Sequence, residues 1–189
     1  VTRDDSDRRQ RATSTLHPSR ARTRDDVGAR SVAAKPVAST NPSGTRVALD
    51  LDGSTMGTHA FQEHVGEVQL RIEAASLEEL FAEAARALAE LIGTPSDEPS
   101  GPWREVTVDA RDREALLVAW LDELIARTEI DGLRYAEVVV EGLTAHELRA
   151  RIRGVPIAES RTAVKAATLH DIRIDSGPGG VSATVVLDV

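Results

Sequence analysis

Val181-Ser182-Ala183-Thr184-Val185-Val186-Leu187-Asp188-Val189 closes the sequence, and its pattern decides how the rest is read. Val181, Ala183, Val185 and Leu187 share one face, while Ser182, Thr184, Val186 and Asp188 share the other. That period of two marks a half-buried strand. The strand leaves an aspartate side chain next to a terminal carboxylate. Two fixed anions repel unless a cation, a partner or solvent relieves them.

Working outward, Ser176-Gly177-Pro178-Gly179-Gly180 is a turn into this strand. Before it, residues 164–169 read as a strand, followed by His170-Asp171, with Ile172 and Ile174 continuing the extended pattern. Two more strands are predicted over 135–141 and 146–154, joined through Glu141-Gly142. In the second, Leu148, Ala150 and Ile152 alternate with Arg149, Arg151 and Arg153, a one-sided basic stripe. That stripe reads as a solvated face pairing with Glu137 and Glu141, or else as a docking patch.

Two helices precede these strands. Ser76-Leu77-Glu78-Glu79 is a capping box, with Ser76 as N-cap and Glu79 reaching back. Leu77, Leu80, Phe81, Ala84, Leu88 and Leu91 then recur at helical spacing, and Gly93 and Pro95 end the run. Asp112 caps a second helix to about residue 128, whose apolar face carries Leu116, Leu117, Trp120, Leu121, Leu124 and Ile125. Strands are expected at 68–72 and 103–109, with Gly66 permitting a bulge or a close backbone approach. The order strand, helix, strand, helix and then a run of strands argues for an α+β domain. Two helices would pack on one face of a mixed sheet.

The 189 residues hold 23 basic and 31 acidic side chains, a formal charge of -8. Residues 1–55 carry 10 Lys/Arg and 7 Asp/Glu, whereas 56–189 carry 13 and 24, or -11. An acidic domain is not built to bind a phosphate backbone tightly, so direct nucleic-acid binding is not expected. There is no cysteine, which removes disulfides and thiolate metal sites. No apolar run reaches the ~20 residues that span a bilayer, and the start lacks a signal-peptide core, so no membrane association is expected and a cytoplasmic location is. Residues 1–55 lack either periodicity and read as a disordered extension, with Arg8, Arg9 and Arg11 as its basic cluster. The only methionine is Met56, where patterned sequence begins. Translation is therefore expected to start there, with 1–55 an artefact of start assignment and 56–189 a complete domain.

The glycines 177–180 lie between strands and open no helix, so they form no phosphate-binding loop. The polar groups expected to converge are His64, Glu67, Lys165, His170, Asp171, Asp188 and the carboxylate of Val189. Glu67, Asp188 and the chain end offer oxygen only. Such a set suits calcium or magnesium better than zinc, although nearby histidine keeps zinc and manganese open. His170 and Asp171 resemble an acid/base pair, but neighbouring strand residues point to opposite faces, so contact between them is not expected.

Met56 to Val189 resembles the archease family. Phe61-Gln62-Glu63-His64-Val65-Gly66-Glu67 is similar to its opening motif of an aromatic residue and Glu-His-Thr-Ala-Asp. Further likenesses are the Ser76-to-Glu79 helix start with Phe81, the 114–124 helix with Asp131-Gly132-Leu133, and the 148–154 strand followed by Pro156. The most specific is Val164-Lys165-Ala166-Ala167-Thr168-Leu169-His170-Asp171, against a Val-Lys-Ala-x-Thr-Tyr-His-Asp run. The closing Val186-Leu187-Asp188-Val189 is also kept.

The resemblance implies an accessory role rather than an enzyme, with no catalytic residue of its own. Archease promotes guanylylation and repeated turnover of the RtcB-type tRNA-splicing RNA ligase, which joins RNA ends using GTP and manganese. The family's metal-holding positions fall on Glu67, Asp188 and Val189, and calcium is the divalent cation expected. His64, Lys165, His170 and Asp171 would face the ligase. The sequence departs from the pattern at Val65 for Thr, Gly66 for Ala, Glu67 for Asp and Leu169 for Tyr, and the 156–162 loop is shorter. Two rival readings are a metal-independent, chaperone-like interaction module using the arginine face, and a metal-assisted phosphoester hydrolase using His170 and Asp171.

Overall fold

Short connections between alternating strands dictate antiparallel neighbours, and that rule organises this domain. The computed structural model describes residues 39–40, 46–49, 55–98 and 100–189. Strands β1 (Ser39–Thr40) and β2 (Arg46–Leu49) lead to β3 (Thr55–His64), which turns through Val65 and Gly66 into β4 (Glu67–Ala74). Helix α1 (Leu77–Ile92), β5 (Gly93–Pro95), β6 (Trp103–Asp109) and helix α2 (Arg113–Asp131) follow. Strands β7 (Leu133–Leu143), β8 (Glu147–Ser160), β9 (Ala166–Gly177) and β10 (Gly180–Asp188) complete the order.

The α+β class with two helices packed on β-sheet is as read from the sequence. Among the described residues the strands divide into two antiparallel sheets, ordered β1-β2-β3-β4-β10-β9 and β5-β8-β6, with β7 also on β8. Both helices touch both sheets: α1 lies on β3, β4 and β7, and α2 on β9, β6 and β7. Of the 1–55 segment, β1, β2 and Thr55 are strand residues, so Met56 lies inside β3. The remaining expectations about that segment, Arg8, Arg9 and Arg11 included, lie outside the described residues.

The terminal strand runs through the interior as its alternation requires. Ala183, Val185 and Leu187 are buried opposite Ile72, Leu70 and Val68 of β4, forming the sheet's inner face. Each such leucine or valine contributes roughly 1.5–3 kcal/mol by leaving water. Val186, on the outer face, is also buried.

Ser76 caps the helix as read, its Oγ accepting from Glu79 N–H at 3.1 Å, while Glu79 Oε2 reaches back one residue beyond the cap to accept from Ala75 N–H at 3.0 Å. Asp112 caps α2 by accepting from Ala115 N–H at 2.8 Å. The helix runs on to Asp131, where Gly132 ends it in the left-handed region at φ 67°. Trp120 is core, and its indole N–H donates to Phe81 O at 3.0 Å, tying α2 to α1. Gly93 does more than end α1: a Cβ there would lie 2.3 Å from Glu159 O, so the glycine admits β8 against β5.

Two features escaped the sequence pattern, while a third, the arginine stripe, follows the first of its two readings. Glu83 is buried on the inward face of α1, where it meets His59 Nδ1 and Arg86 Nε, each at 2.6 Å. In β7 a register shift between Arg134 and Glu137 changes the parity, so Tyr135 is buried while Val139 faces solvent. The arginine stripe is a paired face: Arg149 meets Glu147 at 3.2 Å, Arg151 meets Glu141 at 2.5 Å, and Arg153 meets Glu137 at 2.6 Å. Trp103 lies beneath Arg151 and Arg153, with the guanidinium carbons 5.6 and 5.0 Å from the ring centre.

Candidate functional site

Register, not sequence proximity, assembles the candidate site. At one end of the six-stranded sheet His64 pairs with Glu67, Glu67 with Asp188, and Asp188 with Ala166. These positions form one row across β3, β4, β10 and β9. Directly opposed residues point to the same face of a sheet, with Cβ atoms about 4.5–5.5 Å apart. Because Val68 and Leu187 face the core, Glu67 and Asp188 face outward.

The chain end is tied down on both edges. Val189 N–H donates to Gly66 O at 3.1 Å, and Lys165 N–H donates to Asp188 O at 2.8 Å. Gly66 has φ 78°, and a Cβ there would meet nothing within 4 Å. Its requirement is therefore the left-handed backbone of a two-residue hairpin turn, rather than a bulge. Val65 beside it is fully exposed.

Lys165 brings the cationic group. Its Nζ donates to the main-chain oxygen of Val189 at 2.8 Å and lies 3.9 Å from Asp188 Oδ1. Lys165, Asp188, Glu67 and Val189 thus lie at one corner of the sheet. His64 occupies the adjoining position of the row.

His170 and Asp171 are placed differently. Thr168 pairs with Val186 and Arg173 with Thr184, so the four residues from Leu169 to Ile172 oppose the single residue Val185. This segment is pushed out of the strand. Asp171 takes φ 52°, the only non-glycine positive φ among the described residues. Strand alternation is lost there, and His170 Nε2 reaches Asp171 Oδ2 at 3.3 Å. The expectation that the two side chains do not touch is corrected by this local twist. Both are largely exposed, as is Leu169. Val185 stands three residues before Asp188, about 10 Å along the strand at ~3.3 Å per residue.

Two residues near this corner were missed in the sequence. Asp122 of α2 accepts from Ala167 N–H at 2.7 Å, covering the outer edge of β9. Burial pushes its carboxyl up from the usual range, with the Ala167 hydrogen bond opposing that shift. Its place beside the apolar Leu121 was the only available signal. Thr168 Oγ1, two rows in from the site, is buried and without a hydrogen-bond partner among the described residues.

Two side-chain carboxylates and a main-chain oxygen form a donor set for a hard divalent cation. Lys165, a cation in contact with that oxygen and close to Asp188, marks where positive charge is favoured. Among the described residues no three His, Asp or Glu side chains alone converge as a metal-holding group. The Val189 oxygen adds a third oxygen donor at that corner. The residues fit such an ion.

Residues 59–189 match the model of the Archease protein family. The protein archease of Methanopyrus kandleri is 35% identical over 136 residues, covering 67% of this chain and 96% of that protein. The protein archease of Pyrococcus abyssi is 34% identical over 125 residues, covering 62% and 88%. The solution structure of protein 1598 of Methanobacterium thermoautotrophicum superimposes with a TM-score of 0.58 at 28% identity, covering 69% of this chain and 98% of that one. The crystal structure of an archease from Thermotoga maritima, described as a possible chaperone, shares the fold. Its TM-score is 0.52 at 23% identity, over 68% and 94% of the two chains.

Proposed function

The chain belongs to the archease family, and on that premise we propose that it is an accessory protein that activates an RtcB-type RNA ligase. It promotes the ligase's guanylylation and its repeated turnover, and has no reaction of its own. The observation that carries this reading is the direct pairing of Glu67 with Asp188 beside the Val189 oxygen. Glu67, Asp188 and Val189 would hold a divalent cation, calcium in the first instance, with magnesium, manganese or zinc as alternatives. When bound, the ion supplies positive charge that can neutralise phosphate oxygens.

The chain's own residues do the remaining work. The hydrogen bonds from Val189 to Gly66 and from Lys165 to Asp188 fix the donors on a rigid sheet end, so few degrees of freedom are lost on docking. The protruding Leu169-His170-Asp171 segment and the exposed Val65 give the partner a shaped, partly apolar contact beside the charged corner. Glutamate in place of aspartate at 67 keeps the charge and extends it by one methylene. The acidic domain steers encounter with a basic nucleic-acid enzyme while leaving the RNA to that enzyme. The exposure of His170 and Asp171 argues against the hydrolase reading, since no wall excludes water around the pair. On the arginine face each guanidinium already has a carboxylate partner within the chain, so the metal-independent reading would have to exchange those pairs on docking.

The test is transfer of labelled GMP from GTP to the ligase of the same organism, with and without this protein. Faster guanylylation, lost in Asp188→Ala and Glu67→Ala, is expected. Acceleration that survives both substitutions would keep the partner and discard the carboxylate corner. Absence of acceleration by the parent would reject the accessory reading.

A further inference from the structure

Lys165 differs from the other charges of the sheet end in what it touches. Its ammonium contacts the Val189 oxygen and lies near Asp188, two of the three donors assigned above to a divalent cation. A lysine and a divalent ion cannot both occupy that corner without strong repulsion. From this arrangement, and resting on the metal reading above, we infer that Lys165 is the resident counter-cation of the carboxylate corner. A divalent ion enters only by displacing it. The ammonium is held by one hydrogen bond and one long ion pair in an exposed setting, where such contacts are weak. The main chain of Lys165 stays fixed through its N–H on Asp188 O. Displacement is therefore a swing of the side chain alone, with the sheet unchanged. It turns the charge from an internal neutraliser into a group free to meet an anionic partner next to the ion.

The exchange predicts a specific sign. Removing the lysine charge removes a competitor, so the corner binds a divalent ion more tightly. One positive charge a few ångström from a divalent ion in a water-like medium is worth on the order of tenfold in affinity. A lysine that instead oriented the donors would give the opposite sign when lost.

The experiment is calorimetric titration of the full 189-residue chain with calcium alone, at constant pH and ionic strength. The parent is compared with Lys165→Gln, Lys165→Arg and Asp188→Asn, each checked for fold by circular dichroism. Lys165→Gln is expected to bind about tenfold more tightly, Lys165→Arg to stay near the parent, and Asp188→Asn to lose binding. Equal binding by parent and Lys165→Gln, lost in Asp188→Asn, would keep the metal site and overturn the exchange. Weaker binding by Lys165→Gln would overturn it also, assigning the lysine to donor positioning. No calcium binding by any of the four proteins would remove the metal reading and the exchange with it.

Discussion

Replacing Asp122 separates two contributions that this one carboxylate makes. Its Oδ1 accepts from Ala167 N–H at 2.7 Å, and Ala167 itself is buried on the edge strand β9. Asp122→Ala leaves that N–H without its acceptor, which costs roughly 1–3 kcal/mol. For a domain of this size, 1 kcal/mol corresponds to about 2–4 °C, so the melting temperature should fall by some 2–12 °C. Asp122→Asn keeps a carbonyl oxygen in the same place and removes a charge whose desolvation raises the carboxyl pKa. A folded-state pKa above the unfolded value means that stability is fully present below the unfolded pKa. It is lost as pH rises through the folded pKa. At neutral pH the asparagine variant should therefore equal or exceed the parent, and its advantage should shrink as the pH falls toward 4. Urea unfolding followed by circular dichroism at pH 7 and at pH 4.5 reads both effects. Equal stability of the alanine and asparagine variants at pH 7 would refute the reasoning, because the Ala167 N–H would then need no acceptor.

Other outcomes follow from single positions. Gly180→Ala should destabilise by more than about 2 kcal/mol in urea unfolding, because φ is 122° and a Cβ would lie 2.3 Å from Ala74 O. A loss below ~0.5 kcal/mol would contradict that geometry. Tyr135 is the sole tyrosine, so its ultraviolet titration is unambiguous. Burial, with the Asp131 hydrogen bond, pushes its pKa up to about 12. The stability tied to its neutral form is full below the unfolded value near 10 and is lost as pH rises through about 12; a midpoint near 10 in the folded protein would sink this. Leu70→Ala, at a fully buried β4 position, should cost about 2–5 kcal/mol by thermal or urea unfolding.

The helix starts were legible because they are chemically marked, by Ser76 with Glu79 and by Asp112, whereas the second helix runs past residue 128 to Asp131 before Gly132 ends it. The terminal strand was legible because Val181, Ala183, Val185 and Leu187 keep strict alternation. Register was not legible. Nothing in residues 67 and 188 alone says that they stand opposite each other, since pairing partners are fixed by which faces the two strands bury. The protruding segment at 169–172 was equally hidden, because a local surplus of residues on one strand leaves no periodic trace. Buried Glu83 escaped because its burial depends on His59 and Arg86 arriving from elsewhere. The division into two sheets follows from β8, which takes β5, β6 and β7 as partners and so draws the middle strands away from β4 and β10.

The account stands most directly on multiple-turnover RNA ligation by the RtcB-type ligase of the same organism, with this protein at substoichiometric amounts. Product is predicted to exceed ligase many-fold with the parent and to fall back to the unassisted level with Asp188→Ala and with Glu67→Ala. Full turnover without the protein, or undiminished assistance by both variants, would contradict it.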